Sequence, residues 1–247
     1  MQRLPVTASN AAPAAAALVF RSTPSTQLKD PMDVILENLP AYWEGFLRTL
    51  FLAVVSGIIS LVIGTLLAAA RVSPVAALRG FSMFYVEIVR NTPLTIAFFF
   101  AAIVLPRLGV TFQQFEVAAI IALSAYTSAF IAEAVRSGVN SVPVGQAEAA
   151  RSIGMSFGQV LSFIVLPQAL RTVIPPLINI LIALVKNSSV AGAFFVLELF
   201  GYGRQLANSN SDQVLWVLTG VAIFYLLITV PLGVLAARVE RKVAIAR

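Results

Sequence analysis

Glu148–Pro167 reads EAARSIGMSFGQVLSFIVLP. It is a polar, glycine-punctuated segment lodged between long hydrocarbon runs. A membrane chain that keeps such a segment beside its spans holds a surface with which to grip something on one side of the bilayer. Upstream, Gly138, Pro143 and Gly145 are read as breaking the preceding helix. Gln146–Ile153 then favours helix again, being alanine-rich with Glu148 in its first turn, where the helix dipole favours an anion. Gly154 stands where a C′ glycine ends a helix. Ala149 and Ala150 keep one side slim, so a partner surface can approach the backbone closely. Phe157, Val160, Leu161 and Ile164 form a second apolar stripe expected to lie against the bundle, and Pro167 is read as the turn back into the membrane.

The rest of the chain sets this segment in a bilayer. Of 247 residues, 59% are hydrophobic and 11% charged, whereas a soluble domain carries about 25% charge. The net charge of +6 is therefore no sign of nucleic-acid binding, because basic residues on a polytopic chain chiefly set its orientation. There is no Cys and no His, which removes disulfides, thiolate metal sites and imidazole acid–base chemistry. No catalytic residue, metal site or cofactor is expected.

A span needs roughly 20 apolar residues. Thr49–Ala70 and Val214–Ala237 are clean runs of that length. Phe81–Leu105 carries Glu87, Arg90 and Pro93; Val117–Val139 carries Glu133 and Arg136; Gln168–Lys186 carries Arg171, Pro175, Pro176 and Asn179. The expected fold is all-α, a polytopic bundle of five transmembrane helices. Arg71, Arg79, Arg136, Arg151, Arg171, Arg238, Arg241, Lys242 and Arg247 fall on one side, and Arg107, Lys186 and Arg204 on the other, offset by Glu116, Glu198 and Asp212. The basic residues place the N-terminus outside and the C-terminus in the cytosol, with the Glu148 segment cytosolic. Residues 1–45 are read as a mobile tail and an interfacial lead-in, since Pro13 interrupts the short apolar run Ala11–Phe20 and Tyr42 and Trp43 suit headgroup depth. Residues 46–240 form the membrane domain with a coupling segment at 140–166, and 241–247 a cytosolic tail.

Charged groups at bilayer depth face the bundle interior or water. Glu87 and Arg90 are three residues apart, as are Glu133 and Arg136, so each pair shares a helix face. Two readings are open: ion pairs holding helices together near the cytosolic boundary, or groups lining a pathway. Arg90, Asn91 and Thr92 are the better pathway candidates, because Pro93 frees a backbone carbonyl there. Asn179 follows Pro175-Pro176 and either flanks a route through a discontinuous helix or makes an interhelical hydrogen bond. Lys186 either attracts an anionic substrate or snorkels to the interface.

The spacing of Glu148-Ala149-Ala150, Gly154, Ile164 and Leu166-Pro167 resembles the EAA loop of ABC importer permeases. An ordinary amphipathic loop would not match so many fixed positions. The resemblance runs from about Glu44 to Arg241, four-fifths of the chain. It is similar to the polar amino-acid uptake branch through YVEIVRNTPLT (Tyr85–Thr95), AEAVRSGVNSVPVGQAEAARSIG (Ala132–Gly154), LPQALR (Leu166–Arg171), LIALVKNSSVA (Leu181–Ala191) and VPLG (Val230–Gly233). RVSPV at Arg71–Val75, with RNTPLT following, is especially similar to glutamate permeases of high-GC Gram-positive bacteria. Asn91 stands where many relatives have Gly, and Asn187-Ser188 where they have Asp-Thr, which bears on the substrate.

The resemblance implies a type I ABC importer permease fold in a bacterial cytoplasmic membrane. It implies separate ATPase subunits, a second permease (a heterodimer ahead of a homodimer) and an extracytoplasmic amino-acid-binding protein. Glu148, Ala149, Ala150 and Gly154 would meet the ATPase. Glutamate leads as substrate, with glutamine, arginine and other polar amino acids as alternatives. The chain has no nucleotide site of its own: a phosphate-binding loop needs GxxxxGK[ST], and none of Lys29, Lys186 and Lys242 follows a glycine. The rival reading, an ion-coupled secondary transporter, expects paired repeats and a midplane carboxylate; no repeat is visible, and Glu87 and Glu133 lie near predicted helix ends. A membrane-embedded enzyme lacks any catalytic constellation.

Overall fold

A computed structural model describes residues 31–244. The proposed tail therefore lies outside the described residues up to position 30, as does the C-terminal end from 245. The described chain is helical, with no strand among its residues. In order it forms α1 (Pro31–Glu37), α2 (Leu39–Arg71), α3 (Ala76–Asn91), α4 (Leu94–Arg107), α5 (Phe115–Asn140), α6 (Val144–Ser152), α7 (Phe157–Ala193), α8 (Leu199–Ser209) and α9 (Val214–Ala244). Four of these are long and apolar enough to cross a membrane, α2, α5, α7 and α9; a fifth span results if α3 and α4 count as one.

That fifth span corrects the sequence reading. Phe81–Leu105 is not one helix: α3 and α4 meet at 107° across Thr92-Pro93. Proline cannot donate to the preceding turn and disfavours helix in the residue before it, and Thr92 is accordingly extended (φ −98°, ψ 134°). Two side chains and one amide at the break bond back to carbonyls in the last turns of α3. Asn91 Nδ2 donates to Glu87 O at 2.8 Å, Thr92 Oγ1 to Ile88 O at 2.7 Å, and the Thr92 amide to Val89 O at 3.3 Å.

The tetrapeptide IVLP occurs twice, at 103–106 and 164–167, and in both copies its Ile-Val ends a π-helical stretch, Phe100–Val104 and Val160–Val165. The wide turn is closed by i→i−5 bonds from Leu105 N to Phe100 O and from Leu166 N to Leu161 O. A π turn relieves the clash between a proline ring and the carbonyl four residues back. So Pro167 does not turn the chain. α7 passes through it, and through Pro175 and Pro176, as one helix.

The bundle is packed with small and hydroxyl residues inside and large apolar ones outside. The buried face of α2 carries Gly45, Thr49, Ser56, Gly57, Ser60 and Gly64, and its exposed face carries Phe51, Val54, Ile58, Val62 and Leu66. The exposed set repeats every three or four residues, and each set falls on one face of the helix. Lipid offers apolar side chains as good a home as protein does, so close backbone approach and hydrogen bonding drive helix association instead. α5 is the central helix: 56% of its most apolar stretch is buried, against 39% for α2 and less for α7 and α9. Ser60 Oγ donates to Ser56 O at 2.6 Å on α2, and Tyr85 Oη of α3 donates to Ala125 O of α5 at 2.9 Å.

Two further expectations are corrected. Tyr42 is not at headgroup depth but fully buried, donating to Val217 O at 3.0 Å and stacked on Phe224. Glu198 is not a surface charge. It is fully buried as the N-cap of α8, accepting from Gly201 N (2.8 Å), Phe200 N (3.0 Å) and Tyr225 Oη (2.7 Å). Burial pushes its carboxyl up from the ordinary value, and the hydrogen bonds from Tyr225, Phe200, Gly201 and Thr49 oppose that rise.

Gly64 tests the close α2–α5 contact. A methyl there would sit 2.7 Å from Ile131 Cβ and 2.8 Å from Ser128 O. Gly64→Ala is expected to lower stability by about 1–3 kcal/mol in a detergent melt. Gly80→Ala meets nothing within 4 Å and should hold stability or raise it slightly.

Candidate functional site

Two places carry unusual chemistry, the α6 segment and a charged cluster where α2, α3 and α5 end. α6 begins at Val144 behind Pro143. It therefore starts two residues earlier than read from sequence, Gly145 lies inside it, and Glu148 falls outside the first turn. Its end is a full Schellman motif: Gly154 N donates to Arg151 O at 2.9 Å and Met155 N to Ala150 O at 3.2 Å. Gly154 has φ +90°, which a side chain would strain. Ser156 and Gln159 then form a capping box that starts α7.

The orientation of α6 is set by Ala150, buried against the bundle, and by a Gln168–Gln146 side-chain hydrogen bond that ties it to α7. The opposite side is open. Glu148, Ala149 and Arg151 are exposed, and so are the large apolar Val144, Ile153 and Phe157. Of the expected second stripe Val160 is buried and Leu161 and Ile164 are half-buried, but Phe157 points away from the bundle. Gly138 does not break α5. It lies inside that helix, pressed so closely on α7 that an added Cβ would fall 2.0 Å from the Val173 side chain.

The charged cluster centres on Glu133. Arg71 of α2 lies 3.2 Å from its Oε2, Arg90 of α3 3.7 Å from the same oxygen, and Arg136 pairs with it one turn on. Arg71 also reaches Glu87, at 3.8 Å. The expected Glu133–Arg136 pair is present. Glu87 and Arg90, read as partners, turn instead to Arg71 and Glu133. Arg90 additionally lies 5.8 Å from the centroid of the Phe130 ring. Asn91 and Thr92 sit beside the cluster with their side chains bonded back to Glu87 O and Ile88 O, and the Val89 carbonyl that Pro93 cannot reach takes the Thr92 amide.

Asn179 and Lys186 stand apart from it. Asn179 Nδ2 donates to Glu240 Oε1 of α9 at 3.3 Å, an interhelical bond on an unbroken helix. Lys186 is exposed near the other end of α7, with no ion-pair partner among the described residues. Arg71 was missed as a site residue and read only as a vote for orientation. Its signal was there: opposite charges close three successive apolar segments, at Arg71, at Glu87/Arg90 and at Glu133/Arg136.

A bundle with its second span broken, small residues inside and a short exposed helix between two spans is the membrane-embedded part of a transport system. The chain belongs to the family of binding-protein-dependent transport system inner membrane components, whose sequence model matches residues 38–245. It is 40% identical over 211 residues to the probable glutamine ABC transporter permease protein GlnM of Bacillus subtilis, covering 85% of this chain and 97% of that one. It is 38% identical over 219 residues to the glutamate transport system permease protein GluC of Corynebacterium efficiens, covering 84% and 94%. Among solved structures it is similar to an amino acid ABC transporter crystallised with histidines, at a TM-score of 0.79 and 25% identity, covering 84% of this chain and 96% of that one. The fold is that of a type I ABC importer permease, and the family's ATPase and substrate-binding protein are partner chains.

Glu133→Gln would leave the cluster's guanidiniums facing one another, and is expected to cost about 1–3 kcal/mol in a detergent melt. Glu87 is 58% exposed with a 3.8 Å contact, so Glu87→Gln should change stability by less than about 0.5 kcal/mol.

Proposed function

We propose that this chain is a permease subunit of an ATP-driven importer for a polar amino acid, with glutamate the leading substrate and glutamine next. Family membership supports importer action, and the names of the relatives support an amino acid of this group. On this reading α6 faces the cytosol and is the seat of the ATPase. The observation that carries it is the outer side of α6, where an exposed Glu148 with no ion-pair partner among the described residues is flanked by exposed Val144, Ile153 and Phe157. An exposed apolar patch interleaved with Glu148 and Arg151 is what a docking partner covers. Ala149 lets that partner approach, and Gly154 fixes the turn below it.

The N-terminus lies outside and the C-terminus inside. A second, related permease completes the pathway, so the pair is a heterodimer. Arg90 and Glu133 border that pathway; Asn91 and Thr92 shape the helix end beside it, and Asn179 and Lys186 lie along α7 as further pathway candidates.

Reconstitution of the complete complex in vesicles tests the reading. ATP with the binding protein should drive uptake of labelled glutamate in preference to glutamine or arginine. Uptake that follows an ion gradient without ATP would overturn importer action, and a different preferred amino acid would overturn only the substrate. Glu148→Lys should lower ATPase co-purification at least tenfold, about 1.4 kcal/mol, with normal insertion into the membrane. Unchanged co-purification would remove Glu148 from the interface.

A further inference from the structure

Beside the charged cluster lies a cavity of about 250 Å³, with Arg90, Phe130, Glu133, Ser137, Thr172 and Pro176 among its lining residues. Its walls come from α3, α5 and α7. We propose that this cavity is a carboxylate-binding subsite in which Arg90 holds an acid group of the transported amino acid. The proposal rests on the amino-acid import reading above.

Charge is the first argument. Three guanidiniums, Arg71, Arg90 and Arg136, surround two carboxylates, Glu87 and Glu133. One positive charge is left over beside the cavity, where it favours an anion. The second argument is which cation is available. Arg71 is only 13% exposed and is shared between both carboxylates. Arg136 is held by Glu133 in the shortest contact of the cluster. Arg90 is the most exposed of the three, at 38%, and its one ion contact among the described residues is a loose 3.7 Å. A planar guanidinium presents five donors, and a single contact of that length leaves most of them free for a bidentate carboxylate. Phe130, beneath the guanidinium at 5.8 Å, keeps the fork oriented without using a donor.

Size and polarity are the third. The volume is below the usual range for drug-sized ligands and suits a small one. Hydroxyls of Ser137 and Thr172 are the neutral polar groups of its wall, while Thr172 Oγ1 already donates to Gln168 O at 3.2 Å. The exposed Ser137 hydroxyl is the second donor toward an acid group. Glu133 does not repel the ligand, because it stays matched by Arg71 and Arg136 when Arg90 turns to the incoming carboxylate.

The chain contains no cysteine, so one introduced thiol reports on this cavity alone when labelling is read by the mass of this chain. In the complete complex, Ser137→Cys should react several-fold faster with an anionic methanethiosulfonate sulfonate than with its cationic trimethylammonium counterpart. Adding Arg90→Ala should abolish that preference, Arg90→Lys should retain it, and glutamate during ATP-driven turnover should slow labelling. Thr172→Cys on the opposite wall should behave alike, and it serves where Ser137→Cys fails to assemble. Equal rates for the two reagents with Arg90 intact, or a preference indifferent to Arg90→Ala, would overturn the subsite. Loss of protection by glutamate, with protection by another amino acid, would overturn the acidic ligand. ATP-driven uptake by the complex carrying the unsubstituted chain, recorded alongside, fails only if the import reading itself is wrong.

Discussion

In hydrocarbon a backbone amide or carbonyl without a partner costs several kcal/mol, because no water replaces the missing bond. Several departures from regular helix among the described residues are built around that constraint. At the α3–α4 break the two side chains next to Pro93 bend back onto the carbonyls of Glu87 and Ile88. At Pro106 and Pro167 the helix widens to π geometry and closes with i→i−5 bonds. At the start of α8 a buried carboxylate takes two amides that helix geometry leaves orphaned. The sequence R-N-T-P therefore bends the chain by 107° while its side chains return hydrogen bonds to Glu87 O and Ile88 O.

The same constraint explains the inside-out composition. Several hydroxyls on the helix contacts return their proton to a carbonyl on their own or a neighbouring helix: Ser82 to Leu67, Ser60 to Ser56, Tyr85 to Ala125. Glycine and alanine beside them let the axes approach. Gly64 against Ile131 and Gly138 against Val173 fix α5 to α2 and to α7, so the helix that ends next to α6 is clamped on both sides. Displacement of α6 is then carried into packed helices rather than absorbed by slack.

Hydropathy made the class and the number of spans legible, since composition alone reports 20-residue runs. It could not report the bend, because a window average over Phe81–Leu105 is the same whether Pro93 tilts the chain or breaks it. Pro167 shows the reverse error: a proline read as a turn is absorbed by a π stretch that no residue propensity announces. Gly154 was legible because only a C′ glycine explains a lone Gly between an alanine-rich helix and a serine cap. Glu198 was not, although a carboxylate followed by Leu-Phe-Gly in an apolar run is an N-cap signal that charge counting hides. The Arg71–Glu133 and Arg90–Glu133 contacts depend on which helices become neighbours, and only tertiary structure supplies that.

The cluster at Glu133 also differs from a simple ion pair in what it permits. A buried carboxylate with one partner resists any motion that parts the two, because the loss leaves a bare charge. Glu133 has partners on its own helix and on two others. Withdrawal of α3 by an ångström or two would remove the 3.7 Å Arg90 contact while the closer Arg71 and Arg136 contacts still neutralise it. Motion of α3 therefore costs one weak contact, not a buried charge. Glu133 is thus a charged group whose partners can be exchanged without leaving it unpaired.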